Sequence, residues 1–536
     1  MIPTLQTLVL LLVVLCAVAI AARHFRIPPA ILLVLTGIVL ALIPGLPRVE
    51  LAPEIALLLV LPPLIYSSAV NMSWKEFRFN LRPIALLAVG CVLFTAVAVA
   101  AVSRWLLGFS WPIGFVLGAI VSPPDAVAPL SIARRLCLPH RIPVILEGEG
   151  LANDATALIL YRFAVAAVGA GAFSLGNAAG VFALILGGEI LWGIGVGWLM
   201  LRLRRWVNDP PVEMTLSLLT PFLAYWPPVQ LGGSGVLATV TAGLYISWNG
   251  PDWISAATRL QGVFFWGLLI YLIEGMVFLI TGLQARTLLG GIAHTSVSEL
   301  TLAALVVTLT VIVTRFLWMF PATYLPRWFS PSLRRRDPAP PWQWPFVLGF
   351  TGVRGIVSVA AALAIPLTSQ DGQPFPHRSV VMFLVFVVIL VTLVGQGLLL
   401  PTVIRWLGLA NTGRREQRDS RAEELAASRQ AHVAALERLS QLAREQALSK
   451  KLVDPLEAHY RELLAALEQR DGDDEHHRHI RALQQGIGLQ LIETERNVVN
   501  RLYRDGKLKD EARRSIEHVL DLRSADLAAQ PRGDSD

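Results

Sequence analysis

Apolar residues dominate the first 410 positions in runs of about 20, separated by short segments containing arginine, proline or glycine. A helix needs about 20 apolar residues to cross the hydrocarbon core of a bilayer. The pattern therefore predicts an all-α membrane protein with about thirteen spans, near residues 4–22, 28–46, 53–71, 83–103, 112–133, 142–168, 176–203, 212–229, 232–250, 261–285, 298–324, 344–367 and 379–408. Only Pro227-Pro228 and Gly232-Gly233 divide the eighth span from the ninth, so these two are alternatively one bent segment.

Charge divides the chain into two parts. Only 16% of the 536 residues are charged, against roughly 25% in an average soluble domain. Residues 411–536 nevertheless hold 22 of the 46 Lys and Arg and 24 of the 39 Asp and Glu. We therefore predict a transmembrane domain over 1–410 and a helical tail over 411–536. Membrane topology explains the basic residues of the first part, so the net charge does not indicate a nucleic-acid partner.

The distribution of Lys and Arg among the loops predicts the orientation. Loops that follow odd-numbered spans carry sixteen of these residues, and loops that follow even-numbered spans carry four. Positively charged loops stay in the cytoplasm. We therefore expect a bacterial inner-membrane protein whose N-terminus is outside and whose tail is cytoplasmic. The first run lacks a preceding basic segment, which favours a first span over a cleaved signal peptide.

The fifth predicted span contains the sequence SPPDAVAP at Ser122–Pro129. Proline removes an amide donor and clashes with the preceding helical turn. One proline would give a simple kink, but three within seven residues predict an unwound stretch. The freed carbonyls then need protein, water or an ion as partners. With Asp125 inside the stretch, this segment is a candidate cation site.

The sixth predicted span carries Glu147, Glu149, Asn153 and Asp154. Asp154 follows Glu147 by about two helical turns, so both can face one interior stripe. Desolvation disfavours the charged form of a carboxylate, which suits Asp154 to the exchange of a proton for a metal cation. The alternative is a permanent ion pair between Asp154 and a nearby arginine such as Arg162.

The twelfth predicted span contains the sequence GVRG at Gly352–Gly355. A buried Arg354 between glycines needs a carboxylate, and Glu149 or Glu147 is the natural partner. We interpret Arg354 as structural. The glycine-interrupted twelfth span and the proline-interrupted fifth span occupy corresponding places in two halves, which indicates inverted repeats with two unwound helices at mid-membrane.

Three further charged residues stand alone within apolar runs. Glu274 is either a residue of the ion pathway or a structural hydrogen-bond acceptor. Glu189 and Arg315 read as residues that extend to the membrane interface and receive no assigned role.

These motifs together resemble the bacterial form of the monovalent cation:proton antiporter family, which includes the sodium/proton exchangers. LPPLIY at Leu61–Tyr66 is similar to the family's third-helix motif, and SPPDAVA is similar to its unwound fifth-helix motif. EGLAND at Glu149–Asp154, GVRG in the twelfth span and Glu274 before Phe278 match further motifs in order. The resemblance covers residues 1–410.

The resemblance implies roles for single residues. Asp154 would bind Na⁺ and the proton, Asn153 would hold the site together, and Asp125 would support the unwound backbone. Glu149 and Arg354 would form a structural ion pair. The Asn-Asp pair resembles the electroneutral branch of the family, and one carboxylate alternately holding one proton or one cation agrees with 1:1 exchange. A homodimer is a further expectation from the family.

The sequence departs from the family pattern in two places. Many relatives have an acidic residue where this chain has Ser67, and some have a serine where it has Gly150. The remaining candidate ligands are Asp154, backbone carbonyls from Ser122 to Pro124, the hydroxyls of Ser67 or Ser68, and water. Selectivity among sodium, lithium and potassium therefore stays open.

Rival functions are weaker. Asp125 and Asp154 together suggest an intramembrane aspartyl protease as a rival, but the sequence has no Gly-x-Gly-Asp element. It also has no phosphate-binding G-x-x-x-x-G-K-[ST] loop for an ATP-driven pump. We expect a secondary antiporter of Na⁺, with Li⁺ or K⁺ as alternatives, and H⁺, without a cofactor, serving pH and sodium homeostasis. The tail, interrupted at Pro455 and Asp471-Gly472, is expected to be regulatory.

Overall fold

The computed structural model describes residues 2–25, 27–43, 56–168, 175–207, 209–250, 253–290, 296–369, 372–446, 448–471, 475–505 and 507–529. In these ranges the regular elements are helices, and one isolated β-bridge joins Thr368 to Pro374. The prediction of an all-α protein is confirmed. The predicted loop with Arg48 and the start of the third span lie outside the described residues.

The chain divides into two compact units, Met1–Arg414 and Arg415–Asp536. The α-helices before the tail are α1 (Ile2–Phe25), α2 (Pro29–Leu42), α3 (Leu61–Asn71), α4 (Trp74–Phe79), α5 (Leu81–Ala85), α6 (Val92–Leu106), α7 (Trp111–Val121), α8 (Val127–Arg135), α9 (Arg141–Ala167), α10 (Leu175–Arg204), α11 (Pro210–Gln230), α12 (Val236–Asn249), α13 (Ala256–Leu283), α14 (Ala285–Gly290), α15 (Val297–Phe329), α16 (Pro331–Arg336), α17 (Gln343–Phe350), α18 (Ile356–Leu363), α19 (Arg378–Leu390) and α20 (Gly397–Trp406). The helices that follow are α21 (Leu409–Glu445), α22 (Lys450–Asp471), α23 (Glu475–Arg504) and α24 (Asp510–Ala529).

Several of these helices are long and apolar enough to cross a membrane. Six meet both criteria among the described residues: Gln6–Phe25, Leu81–Leu106, Gly180–Arg204, Ala257–Leu288, Val297–Phe329 and Arg378–Trp406. Shorter apolar helices occur at Pro29–Leu42, Leu57–Asn71 and Trp111–Val121. Small residues allow such helices to approach closely. A Cβ on Gly37 of α2 would overlap the carbonyl of Leu279 in α13, so glycine is required where these two helices touch.

Proline creates a wide turn ahead of α3. The π-helical segment Ala56–Val60 leads into Leu61, Pro62 and Pro63. Pro62 has no N–H to donate to the carbonyl of Leu58 four residues earlier. That carbonyl accepts a hydrogen bond from the indole of Trp226 in α11 instead, at 3.0 Å. The LPP sequence therefore fixes α3 against a distant helix.

Two breaks in the helices meet inside the first unit. The helix α7 ends at Val121 before the prolines, and α8 begins at Val127. The second break separates α17 from α18, whose first residue is Ile356. The N–H of Asp125 donates to the carbonyl of Val353 at 2.7 Å, so each break supplies a partner for the other.

The eighth and ninth predicted spans are two separate helices, α11 and α12. Glu189 of α10, only 3% exposed, determines where α12 begins. Its carboxylate accepts hydrogen bonds from the N–H groups of Gly235 at 2.9 Å and Leu237 at 3.0 Å. It also accepts one from the hydroxyl of Ser234 at 3.0 Å. The interpretation of Glu189 as an interfacial residue is wrong, because its carboxylate caps a helix N-terminus.

The second unit consists of helices throughout its described residues. The prediction that Pro455 interrupts the tail is wrong, because α22 runs through this residue from Lys450 to Asp471. Pro455 lies in the second turn of α22, where it leaves the carbonyl of Lys451 without a helical donor but does not end the helix. Ion pairs Arg496–Asp521 and Arg523–Glu495, each 2.7 Å, join α23 to α24. The predicted break at Gly472 lies outside the described residues.

Candidate cation site

The two breaks border a small cavity of about 100 Å³ that is lined by carboxylates. Its acidic residues are Asp125, Glu147, Asp154 and Glu274, and no lysine or arginine lines it in the part of the chain that the structure describes. The remaining wall is apolar or small, with Leu61, Ile65, Pro123, Gly150 and Ile356 among the contributors. A wall of this kind attracts cations, because nothing in it neutralises the carboxylates.

Asn153 connects α9 to the proline-rich break. Its side-chain amide donates a hydrogen bond to the carbonyl of Pro124 at 2.8 Å, and the residue is fully buried. The prolines prevent this stretch from forming regular helical hydrogen bonds, so its carbonyls need donors from elsewhere. Asn153 therefore fixes the broken segment against the helix that carries Asp154.

Asp125 holds the two breaks together. One carboxylate oxygen accepts the N–H of Val127, the first residue of α8, at 2.9 Å. Gly355 lies so close that a Cβ there would overlap the Asp125 carboxyl. One oxygen of the Asp125 side chain is thus hydrogen-bonded to the backbone, while the side chain still lines the cavity.

Asp154 has no such hydrogen bond to the backbone in the described part of the chain. None of the described residues donates a hydrogen bond to its carboxylate or forms an ion pair with it. The charge of Asp125 acts on it across the cavity. Arg162 lines a different cavity, so the structure does not contain the alternative pair between Asp154 and Arg162. A partly buried carboxylate without a partner is stabilised by a proton or a cation.

Glu147 and Glu274 complete the acidic wall. Glu147 lies 3.6 Å from Arg134, an arginine that is 69% exposed and therefore weakly held. Glu274 of α13 lines the cavity and has no hydrogen-bond partner among the described residues. No three acidic, histidine or cysteine side chains of the described ranges are close enough to hold a metal ion together. A cation would therefore rely on Asp154 with carbonyl, hydroxyl and water ligands.

The hydroxyl and carbonyl candidates differ in availability. Ser68 lines the cavity, whereas Ser67 does not. The hydroxyl of Ser122 donates to the carbonyl of Ala119 at 3.2 Å, and Asn153 occupies one position on the Pro124 carbonyl. At Gly150, an added Cβ would lie 3.0 Å from the Cβ of Ala126, so a larger side chain would disturb the break.

Glu149 forms its ion pair with Arg315, not with Arg354 as the sequence analysis predicted. The two Arg315 Nη atoms contact the two carboxylate oxygens at 2.6 Å and 2.9 Å, and both side chains are 1% exposed. Arg315 also donates to the carbonyl of Leu348 at 3.0 Å. The expectation of an interfacial Arg315 is wrong as well. Its position in the middle of α15 was the available signal that it is buried.

Arg354 serves the broken backbone instead. Its Nε donates to the carbonyl of Val121 at 2.8 Å, and its Nη atoms donate to the carbonyls of Gly352 and Ser122. The last carbonyls of a helix lack intrahelical partners. Because α7 ends inside the protein, a buried guanidinium satisfies these groups. Arg354 thus has a structural role, with no carboxylate partner among the described residues.

A second cavity, of about 510 Å³, lies beyond a narrow apolar barrier. Three helical segments contribute to both cavities. On α9, Asp154 lines the first cavity and Leu158 the second. The same change occurs between Leu61 and Leu58, and between Ser358 and Leu363. These pairs are three to five residues apart, which is about 5–8 Å along a helix axis, so the barrier is roughly one helical turn thick.

Comparison with known proteins gives a consistent result. The family model described as "Sodium/hydrogen exchanger, transmembrane" matches residues 9–406. An uncharacterized Na⁺/H⁺ exchanger of Mycobacterium tuberculosis is 37% identical over 94% of this chain and 93% of its own length. A sodium, potassium, lithium and rubidium/H⁺ antiporter of Bacillus subtilis is 33% identical over 73% of this chain and 60% of its own.

A solved structure shares the fold. The sodium proton antiporter MjNhaP1 from Methanocaldococcus jannaschii matches with a TM-score of 0.60 at 20% identity. The match covers 75% of this chain and 98% of that protein.

Proposed function

The chain belongs to the sodium/hydrogen exchanger family and is a transporter rather than an enzyme, and from this premise we propose that it exchanges one monovalent cation, Na⁺ first, for one proton across the bacterial inner membrane. The observation that carries this proposal is the Asp154 carboxylate, which faces the cavity without a partner in the described part of the chain. The same group can hold a proton or a cation, but not both at once.

Competition at Asp154 would produce the coupling. A deprotonated Asp154 attracts Na⁺, and the hydroxyl of Ser68, backbone carbonyls and water complete the coordination. Protonation removes the charge and releases the cation. One carboxylate carries one cation in one direction and one proton in the other. The cycle therefore moves no net charge. Asn153 and Asp125 position this carboxylate by fixing the unwound backbone.

The fold that we propose for this cycle has thirteen spans in two inverted repeats, with the breaks before α8 and α18 at the crossing. The lysines and arginines of the loops favour an outer N-terminus and a cytoplasmic tail. In that orientation the acidic cavity opens past Glu147 and Arg134 toward the cytoplasm, and the barrier near Leu158 closes the outer side. We further propose a homodimer, a regulatory tail and a role in pH and sodium homeostasis.

A K⁺/H⁺ antiporter is the closest alternative. The Bacillus subtilis relative is named for four cations, and no compact set of three acidic ligands is present among the described residues to enforce the size of sodium. A loosely defined coordination shell discriminates weakly between ions of equal charge.

Proteoliposomes with an imposed proton gradient test both possibilities. Sodium, lithium and potassium are added in turn while lumenal pH is followed, with and without a membrane potential. A cation-dependent pH change that ignores the potential supports electroneutral exchange, and the order of responses ranks the ions. A response that follows the potential contradicts 1:1 coupling. If folded protein gives no response, a chain ending near Arg415 shows whether the tail inhibits exchange.

A further inference from the structure

The second cavity carries the opposite charge to the cation cavity. Arg162 and Arg378 line it, and no acidic side chain does so in the described part of the chain. The cation cavity shows the reverse, with four carboxylates and no described basic residue. Two positive charges at this place would repel a cation on its pathway, so their presence requires an explanation.

Neither guanidinium has a counter-ion among the described residues. Arg162 follows Asp154 by about two turns on α9, and no described residue forms a hydrogen bond or ion pair with it. Arg378, the first residue of α19, donates through Nε to the carbonyl of Ile365 at 3.0 Å. Its Nη atoms have no described partner. Both side chains are partly buried, and their charges are therefore available to a ligand in the cavity.

A buried hydroxyl accompanies the two arginines. Tyr161 lines the cavity and is 8% exposed, and its phenolic oxygen is buried without a hydrogen-bond partner among the described residues. The charges of Arg378 and Arg162 both act on this side chain. Tyr225, on the cavity wall, is also within reach of the Arg162 charge. Two cations and an unused O–H donor therefore share one space.

One carboxylate behind the cavity wall is already hydrogen-bonded. Glu189 lies behind Ser234, a residue of the cavity wall, but does not line the cavity itself. Its two oxygens accept hydrogen bonds from Ser234, Gly235 and Leu237. The charge of Asp154 also acts on Tyr225, but Asp154 lines the other cavity, so the described side chains that line this one are net positive.

We propose that this cavity binds a small oxyanion of the size of bicarbonate or phosphate. The planar guanidinium fork pairs with two oxygens of one anion, and such bidentate contacts are stronger than contacts to a point charge. Arg162 and Arg378 supply the charge, and Tyr161 supplies a further donor. A volume of about 510 Å³ accommodates the anion together with water.

The position of the site has a consequence that rests on the proposed exchange. Leu158 separates the cavity from Asp154 by about one helical turn. A cation that passes between the outside and Asp154 would meet two uncompensated positive charges. A bound oxyanion offsets them, so exchange would be faster when the anion is present on that side.

Titration calorimetry on the full chain in lipid nanodiscs tests the binding. Sodium phosphate or sodium bicarbonate is titrated at constant sodium and ionic strength, with gluconate as the replaced anion. We expect saturable binding to the wild type, weakened at least about tenfold by Arg162→Gln or Arg378→Gln. Tyr161→Phe should weaken it roughly threefold. Arg104→Gln, which changes an arginine on the same predicted side outside this cavity, should bind as the wild type does.

Several results would overturn the assignment. These are absence of saturable binding to the wild type, equal binding by the Arg162→Gln/Arg378→Gln double variant, or chloride binding as tight as phosphate. If a glutamine variant is aggregated on size-exclusion chromatography, Arg162→Lys and Arg378→Lys keep the charge without the fork and should bind with intermediate affinity. In proteoliposomes, an exchange rate that does not depend on phosphate outside the vesicle would contradict the proposed acceleration by the anion. Absence of all exchange contradicts the proposed function and leaves the calorimetric result standing.

Discussion

The side-chain amide of Asn153 donates a hydrogen bond to the carbonyl of Pro124 at 2.8 Å, and this contact fixes the helix that carries Asp154 against the broken backbone. This carbonyl lies in the break between α7 and α8, and the next residue along α9 faces the cavity. The arrangement separates two tasks. Asn153, Asp125 and Arg354 satisfy the broken backbone, which leaves the Asp154 carboxylate available to an ion.

Replacement of Asp154 by asparagine should abolish cation-dependent proton flux, because it removes the titratable charge while preserving the size of the side chain. We expect flux at the level of empty liposomes and an unchanged elution profile. The measurement is lumenal pH in proteoliposomes after addition of sodium. Asp209→Asn, an exposed carboxylate at the start of α11, is the matched control and should exchange normally. Retained exchange in Asp154→Asn would exclude this residue as the coupling group.

Replacement of Asn153 by alanine should both slow exchange and destabilise the protein. It leaves the buried Pro124 carbonyl without its donor, which costs about 1–3 kcal/mol. The melting temperature should fall by several degrees in a thermal-shift assay, and Asn153→Gln should not restore it, because its longer side chain misplaces the amide. A fully stable but inactive Asn153→Ala would instead indicate a direct ligand role.

The ion pair between Glu149 and Arg315 can be tested against the pair that the sequence suggested. Removing one member of a buried ion pair typically costs about 3–5 kcal/mol, because the other charge is left unpaired. Glu149→Leu and Arg315→Met should each be severely destabilising, and the double variant should lose less than the sum. Arg354→Met should destabilise independently of Glu149→Leu. Strong coupling between Glu149 and Arg354 in this cycle, measured by thermal unfolding, would contradict the contacts described here.

The difference between these two arginines shows what the sequence could and could not predict. The apolar runs define most helices, because each run must satisfy its own backbone in lipid. The proline-rich and glycine-rich motifs define the breaks and therefore the neighbourhood of Asp125, Asn153 and Asp154. The partner of Glu149 lies 166 residues away in sequence, and its selection depends on how α9 and α15 pack. Two nearby buried arginines offer equivalent chemistry, so only the packing distinguishes them.

The second cavity could not be predicted from the sequence, for the same reason. Arg162 and Arg378 come from α9 and α19, and no motif links them. The sequence instead suggested Arg162 as a partner of Asp154, which it follows by about two turns. That spacing places the two side chains in different cavities, because the apolar turn at Leu158 lies between them.

Gly355 should not tolerate alanine. A Cβ at this position would overlap the Asp125 carboxyl, so Gly355→Ala must displace either Asp125 or the start of α18. We expect exchange to fall to near background in the proteoliposome assay, with a lower melting temperature. Gly187→Ala is the matched control, because a Cβ there meets no atom within 4 Å. Normal exchange by Gly355→Ala would show that the contact between the two breaks is dispensable.

Asp337 should stabilise the protein in a pH-dependent manner. It lies between α16 and α17, outside the predicted spans, and contacts Arg141 at 2.7 Å, Arg327 at 2.7 Å and Arg82 at 2.9 Å. Burial alone would raise the pKa of its carboxyl, but the hydrogen bonds and charges of these arginines outweigh burial and hold the pKa below its usual value. A lowered pKa in the folded state means that the stabilisation is present above the pKa of the unfolded chain, about 4, and is lost as pH falls further.

Asp337→Asn should therefore melt several degrees below the wild type at pH 7, and the difference should shrink as pH falls below about 4. Thermal unfolding from pH 7 to the lowest pH at which both proteins stay folded measures it. A difference that grows on acidification would show that the carboxyl is protonated more readily in the folded state, and the three arginines would then not be its dominant partners.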